Sequence, residues 1–145
     1  MMMQRIVDHL IVEPVGSATP PHDSVIRWGI MGTANIANIV LPALVAAPNC
    51  EVLACASRSD EKATAWAAER GIARAYGSYE KLLADPDVDA VYIPLPTTLH
   101  IEWVLKAAEA KKHILIEKPV ALTSADAHAM VEACNTAGVL LMDAV

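Results

Sequence analysis

The sequence predicts an α/β domain, a doubly wound parallel sheet of about six strands with helices on both faces. Three observations carry that reading. From residue 25 to residue 145, short apolar runs alternate with segments of helical period. Such alternation implies parallel strands joined by right-handed crossovers. Hydrophobic residues make up 54% of the chain and the mean hydropathy is +0.35, yet no apolar run reaches the roughly 18–20 residues of a membrane span. The apolar excess therefore belongs in strands buried on both faces, which read as continuous apolar runs. The length of 145 residues fits one domain.

Each element follows from its local pattern. Val25–Met31 reads as the first strand, and Asn35–Ala47 as the helix after it, with Pro42 expected to kink or break it. Glu51–Ala56 is the second strand. Asp60–Arg70 is a helix with Ser59 as its N-cap and Gly71 past its end. Ile72–Tyr76 is a short third strand or extended segment, and Ser78–Ala84 a short helix stopped by Asp85, Pro86 and Asp87. Ala90–Ile93 is the fourth strand. In Thr98–Lys111, the positions Ile101, Val104, Leu105 and Ala108 define one helical face. His113–Ile116 is the fifth strand. Ser124–Ala137 is a helix introduced by a Thr123/Asp126 capping arrangement and ended by Gly138, and Val139–Met142 is the sixth strand. Six strands in two halves give the Rossmann-like order 3-2-1-4-5-6, whose ligands sit outside the carboxyl ends of the strands. Residues 1–24, with a Gly/Ser/Thr/Pro stretch from Gly16 to Ser24, read as a leader and linker. Residues 25–145 then form the nucleotide-binding domain.

Four loops at the carboxyl ends hold the candidate chemistry. After strand 1, Gly32, Thr33, Ala34, Asn35, Ile36 and Ala37 fit a G-x-G-x-x-G-like turn with alanines at the last two small positions. Small residues there let backbone amides approach a pyrophosphate at the helix N-terminus. A mere packing turn is the alternative. After strand 2, Ser57 stands near the place where an acidic residue would hold the ribose of NAD, but Ser57, Arg58 and Lys62 offer a site for a 2′-phosphate instead. That favours NADP, while nearby Asp60 keeps NAD open. A solvated arginine is the plain alternative. After strand 4, Leu95, Pro96, Thr97 and His100 lie where a nicotinamide would rest, and Thr98 can cap the helix. His100 taken alone reads better as a polar helix-start residue than as a general base. After strand 5, Lys118 can donate to a reacting oxygen and stabilise alkoxide charge, with Glu117 as its ionic neighbour. An ordinary surface Glu–Lys pair is the alternative.

Charge and composition exclude other classes. The net charge of −6 argues against nucleic-acid or anionic-membrane binding. Cys50, Cys55 and Cys134 show no C-x-x-C spacing and form no metal pattern with the five histidines. This fits a reducing, cytoplasmic location without disulfides. Trp28, Trp66 and Trp103 read as packing residues, and Cys55 as a small buried hydrophobe.

Taken in order, the stretches Ile26–Ala37, Ala56–Arg58, Tyr76–Leu83, Pro86–His100 and above all His113–Leu122 (HILIEKPVAL) resemble the N-terminal domain of the glucose–fructose oxidoreductase / inositol dehydrogenase / rhizopine-catabolism (Gfo/Idh/MocA) family. The branch containing dihydrodiol and NADP-dependent xylose dehydrogenases is the most similar. The resemblance implies hydride transfer between nicotinamide and a sugar, cyclitol or diol CH–OH group, with NADP or NAD as cofactor. It places Thr33–Ile36 on the diphosphate, and Ser57, Arg58 and Lys62 on the adenosine phosphate. Leu95, Pro96, Thr97 and His100 fall near the nicotinamide, and Glu117 and Lys118 on the motif whose lysine is catalytic. Ala34 replaces a glycine of some members and Thr97 a common asparagine. The family's second domain completes the substrate site and makes homo-oligomer contacts. The chain by itself is therefore expected to lack turnover and to expose apolar surface at its last strand. A non-catalytic nucleotide-binding or regulatory module and, more remotely, a methyltransferase are the competing readings.

Overall fold

The computed structural model describes residues 24–145, so the expected leader lies outside the described residues. Six parallel strands form one sheet in the order β3-β2-β1-β4-β5-β6. They are β1 (Ile26–Met31), β2 (Cys50–Ala56), β3 (Arg74–Tyr76), β4 (Ala90–Ile93), β5 (His113–Glu117) and β6 (Leu141–Ala144). The helices are α1 (Ala37–Ala46), α2 (Asp60–Arg70), α3 (Tyr79–Leu83), α4 (His100–Glu109) and α5 (Ser124–Ala137). A single 3₁₀ turn, Thr97–Leu99, precedes α4.

The sheet divides the core in two. On one face, Ile30, Cys55 and Tyr92 pack with Ala37 and Leu41 of α1 and Trp66 and Ala67 of α2. On the other, Met31, Val91, Ile93, Ile114 and Ile116 pack with Leu82 and Leu83 of α3, Trp103 and Val104 of α4, and Met130 and Cys134 of α5. Ala90–Ile93 is buried throughout, as a central strand covered on both sides must be.

Several local expectations hold, and others are corrected. Ser59 accepts from the Lys62 N–H at the start of α2, and Thr123 accepts from the Asp126 N–H at the start of α5. Gly71 and Gly138 close those helices in the left-handed conformation. Pro42, expected to interrupt the first helix, sits inside a continuous α1. Both Pro42 and Asn38, whose carbonyl loses its usual donor, lie on the exposed side of the helix, so water can satisfy that group. The last strand starts two residues later than expected. Val139 is buried and donates its N–H to the Cys134 carbonyl, the hydrogen bond that commonly follows a glycine helix stop. The 3₁₀ turn replaces the expected start of the fourth helix, and Thr98 caps nothing with its side chain.

Candidate active site at the carboxyl edge

Register sets the site. Met31 pairs with Ala56, Ile30 with Tyr92, Ile93 with Ile116, and Glu117 with Ala144. The four predicted loops therefore leave the sheet along one edge, on either side of the β1/β4 switch point.

The first loop is a bare backbone corner. Gly32 has φ +113°, and a Cβ placed there would stand 3.0 Å from Leu95 Cδ2. Its N–H donates to the Ala56 carbonyl. The N–H groups of Thr33, Ala34, Asn35 and Ile36 donate to no protein group among the described residues. Helix α1 begins without a side-chain cap and with no acid in its first turn, whereas α2, α3 and α5 each have a hydroxyl cap and an acidic residue there. The positive end of the α1 dipole thus has no carboxylate in its own first turn. Ala37 is buried, which allows the close helix–strand packing expected of it.

The second loop begins at Ser57, which is buried and donates its N–H to the Tyr76 carbonyl. Arg58 and Lys62 are exposed, and neither forms an ion pair among the described residues. The Asp60 carboxylate packs over Gly77, filling the place where a side chain would stand. Tyr79, the first residue of α3, adds a residue the sequence reading assigned no role. Its ring is buried edge-on against Trp103 with centroids 4.9 Å apart. Its hydroxyl is 3.8 Å from the position of a Gly32 Cβ. Burial raises the Tyr79 pKa, and the nearby Arg58 charge pulls it the other way. Tyr79 therefore links the first loop to the second.

The third and fourth loops meet around His100. The ring is fully enclosed. Nε2 lies 2.8 Å from the Leu95 carbonyl oxygen, and Nδ1 lies 3.0 Å from that of Val120. Leu95 and Thr97 are half-buried, and Pro96 is exposed. Lys118 is exposed and its peptide bond to Pro119 is cis. The expected Glu117–Lys118 ion pair does not form. Glu117 instead accepts a 2.6 Å hydrogen bond from the Tyr92 hydroxyl on Oε1, while Oε2 accepts from the Lys118 backbone N–H. Burial, together with the hydrogen bond and charge of Glu117, raises the Tyr92 pKa, so the tyrosine remains a donor. The signal for it was available: a tyrosine in the apolar run Ala90–Ile93 needs a partner for its hydroxyl.

Comparison with known proteins decides the family. The model for the GFO_IDH_MocA family, described as an oxidoreductase family with an NAD-binding Rossmann fold, matches residues 26–144. The chain belongs to this family. Among Gfo/Idh/MocA relatives, D-xylose 1-dehydrogenase (NADP(+)) 2 of Haloferax volcanii is 49% identical over 118 residues, 81% of this chain and 36% of that protein. An uncharacterized oxidoreductase of Rhizobium meliloti is 46% identical over 83% of this chain and 36% of its own length. A 3-ketoreductase from Actinomadura kijaniata, crystallised with NADP, superposes with a TM-score of 0.79 at 41% identity, covering 83% of this chain and 38% of that one. The chain thus spans about a third of the length of the curated relatives it matches. Neither a cation-binding group of His, Cys, Asp and Glu nor a helix long and apolar enough to cross a membrane occurs among the described residues.

Proposed function

We propose that this chain binds NADP along the carboxyl edge of its sheet, as the cofactor half of an oxidoreductase acting on a sugar, cyclitol or diol CH–OH group. One observation carries the reading: the α1 entrance presents four unengaged backbone amides and an uncapped helix dipole, and the next loop of the same sheet edge carries Arg58, which has no ion pair among the described residues. That combination suits a diphosphate carrying a further phosphate. The Thr33–Ile36 amides would hold the diphosphate. Ser57, Arg58 and Lys62 would hold the 2′-phosphate, with Arg58 the main discriminator against NAD. Leu95, Pro96 and Thr97 would border the nicotinamide.

When bound, the nicotinamide supplies a hydride acceptor or donor at C4. Lys118, exposed at the end of β5 and without an ionic partner among the described residues, would hydrogen-bond the substrate oxygen and stabilise alkoxide charge there. Glu117 does not neutralise it, because its carboxylate is held by Tyr92 and by the Lys118 backbone N–H. The NADP-named and NADP-bound relatives support the cofactor choice, and their sugar-directed names support the substrate class. The reading carries a cytoplasmic location and a homo-oligomeric full-length protein.

Fluorescence titration of the chain with NADPH and with NADH tests it. NADPH is expected to bind more tightly, and no binding of either overturns the reading. Adding sugars and diols to the NADP complex while following nicotinamide absorbance separates binding from turnover.

A further inference from the structure

We propose that His100 is a positioning residue that clasps the β4 loop to the β5 loop, fixing the gap in which the nicotinamide end of the cofactor lies. The inference rests on the cofactor reading above and assigns His100 a task other than contact with the cofactor. Its ring is fully enclosed, with the Leu95 carbonyl oxygen at 2.8 Å from one nitrogen and the Val120 carbonyl oxygen at 3.0 Å from the other. Neither nitrogen is left over for a ligand.

The two anchor points define what the clasp controls. Leu95 belongs to the loop after β4, and its side chain lies over Gly32, so this loop borders the first one. Val120 is two residues beyond Lys118, in the loop after β5. Beyond the backbone pairing of β4 with β5, which ends at Ile93 and Ile116, the His100 ring bridges the two loops across the switch point, with one nitrogen against a carbonyl oxygen of each. A small residue at 100 would remove the ring that spans the two carbonyls and leave at least one of them without its donor in an enclosed place, and both loops would relax around the space. Lys118 would then move relative to Leu95 and Thr97. Displacements of about 1 Å in such a frame are enough to spoil productive geometry.

His100→Ala and His100→Gln test the clasp by two measurements on the whole chain. Glutamine keeps two N–H donors on one nitrogen and can restore part of the link. Without nucleotide, hydrogen exchange is expected to rise in His100→Ala over residues 94–99 and 118–122 together, with residues 33–37 unchanged, and to lie in between for His100→Gln. With nucleotide, NADPH affinity is expected to fall about tenfold in His100→Ala, while 2′-phospho-ADP-ribose, which lacks the nicotinamide, binds within about twofold of the parent chain. Faster exchange confined to residues 94–99, unchanged NADPH affinity, or equal loss for both nucleotides would overturn the proposal. Should His100→Ala not fold, the same comparisons on His100→Gln decide it, with smaller changes of the same pattern expected. If the parent chain binds neither nucleotide but the two loops still exchange together in the variants, the cofactor reading fails. The clasp then stands as a loop tether, and its link to the nicotinamide is refuted.

Discussion

Gly32→Ala is the sharpest test of the diphosphate corner. At φ +113° the backbone lies where only glycine is comfortable, and a side chain there costs on the order of 1–3 kcal/mol. The new Cβ would also stand 3.0 Å from Leu95 Cδ2, which Leu95 relieves only by turning its side chain, at about 0.5–1 kcal/mol for an off-rotamer shift. Stiffening of the unfolded chain returns about 0.4–1 kcal/mol. The net loss is therefore about 1–3 kcal/mol, a fall in melting temperature on the order of 3–12 °C for a domain of this size. Gly71→Ala is the control. Gly71 also has positive φ, at +67°, but a Cβ there meets nothing within 4 Å, and it closes α2 away from the site. It should lose about 1 kcal/mol and bind NADPH as before. Gly32→Ala should lose NADPH affinity at least about tenfold beyond what its lower stability explains, because the corner that presents the amides is displaced. Calorimetry and fluorescence titration give both numbers. Equal NADPH affinity in the parent and Gly32→Ala, or equal binding losses in the two variants, would refute the corner as the diphosphate seat.

Arg58→Ala should weaken NADPH much more than NADH, as expected of a 2′-phosphate contact; matched losses in paired titrations would remove that role. Tyr92→Phe deletes the 2.6 Å hydrogen bond to Glu117 and should cost about 1.5–3 kcal/mol by urea unfolding, since the acceptor is a carboxylate. It should also free Glu117 to approach Lys118, and an unchanged unfolding midpoint would contradict it. His113 Nδ1 accepts the Leu140 N–H, and burial holds the ring pKa below its usual value, against a smaller opposing pull from Asp89. Its neutral form is therefore favoured in the fold. As pH falls below the unfolded-state value near 6.5 the unfolded chain takes up the proton first, so stability drops until the folded ring also protonates. His113→Gln should flatten that part of the urea-midpoint profile, and a profile as steep as the parent's would reject the assignment. Met142 on edge strand β6 is 67% exposed, so Met142→Lys should reduce self-association, and identical sedimentation profiles for the parent and the variant would reject this.

The strand order and both helix-capping residue types could be read from the sequence because local patterns dictated them. Hydroxyl–acid starts such as Ser59–Asp60 and Thr123–Asp126 act within one turn, as do glycine stops. What could not be read depended on tertiary context. Val139 looked like the first residue of an apolar strand because Val139–Met142 has no period, yet it serves to close α5. Pro42 looked like a break because the rule ignores which side of a helix the proline faces. At the site, the residue types of all four loops were legible. Partner choice was not: Glu117 and Lys118 are adjacent in sequence, but strand geometry sends the carboxylate to Tyr92 on the neighbouring strand. His100 was legible as a helix-start residue, whereas its two carbonyl partners come from separate loops that only the fold brings together.

The two ends of the sheet divide the charges by task. At the amino end, Arg27 pairs with Asp87 and Asp89, and Arg74 pairs with Asp85 and Asp87. Asp85 also accepts from the Tyr76 hydroxyl, and buried Lys112 donates to the Asp85 and Val88 carbonyls. Burial works against the Asp85 carboxylate, but Arg74, the Asp87 N–H and Tyr76 together outweigh it and hold its pKa below the ordinary range. The charges at that end are thus satisfied within the protein and stitch the loops to the strands. A cavity of about 1000 Å³ also lies there, but Trp28, Leu44, Leu115 and Met142 give it a largely apolar wall, and the Arg27 and Lys112 that line it are already engaged within the protein, which does not suit a polyanionic nucleotide. At the carboxyl end the pattern reverses. Arg58, Lys62 and Lys118 lack ionic partners among the described residues, and the amides of residues 33–36 lack acceptors. A folded domain leaves donors and cations of that kind together where an external anion completes them. Cavity volume alone therefore does not locate an anion site in this protein, whereas the unmet hydrogen-bonding capacity favours the carboxyl end, in line with the proposed cofactor site.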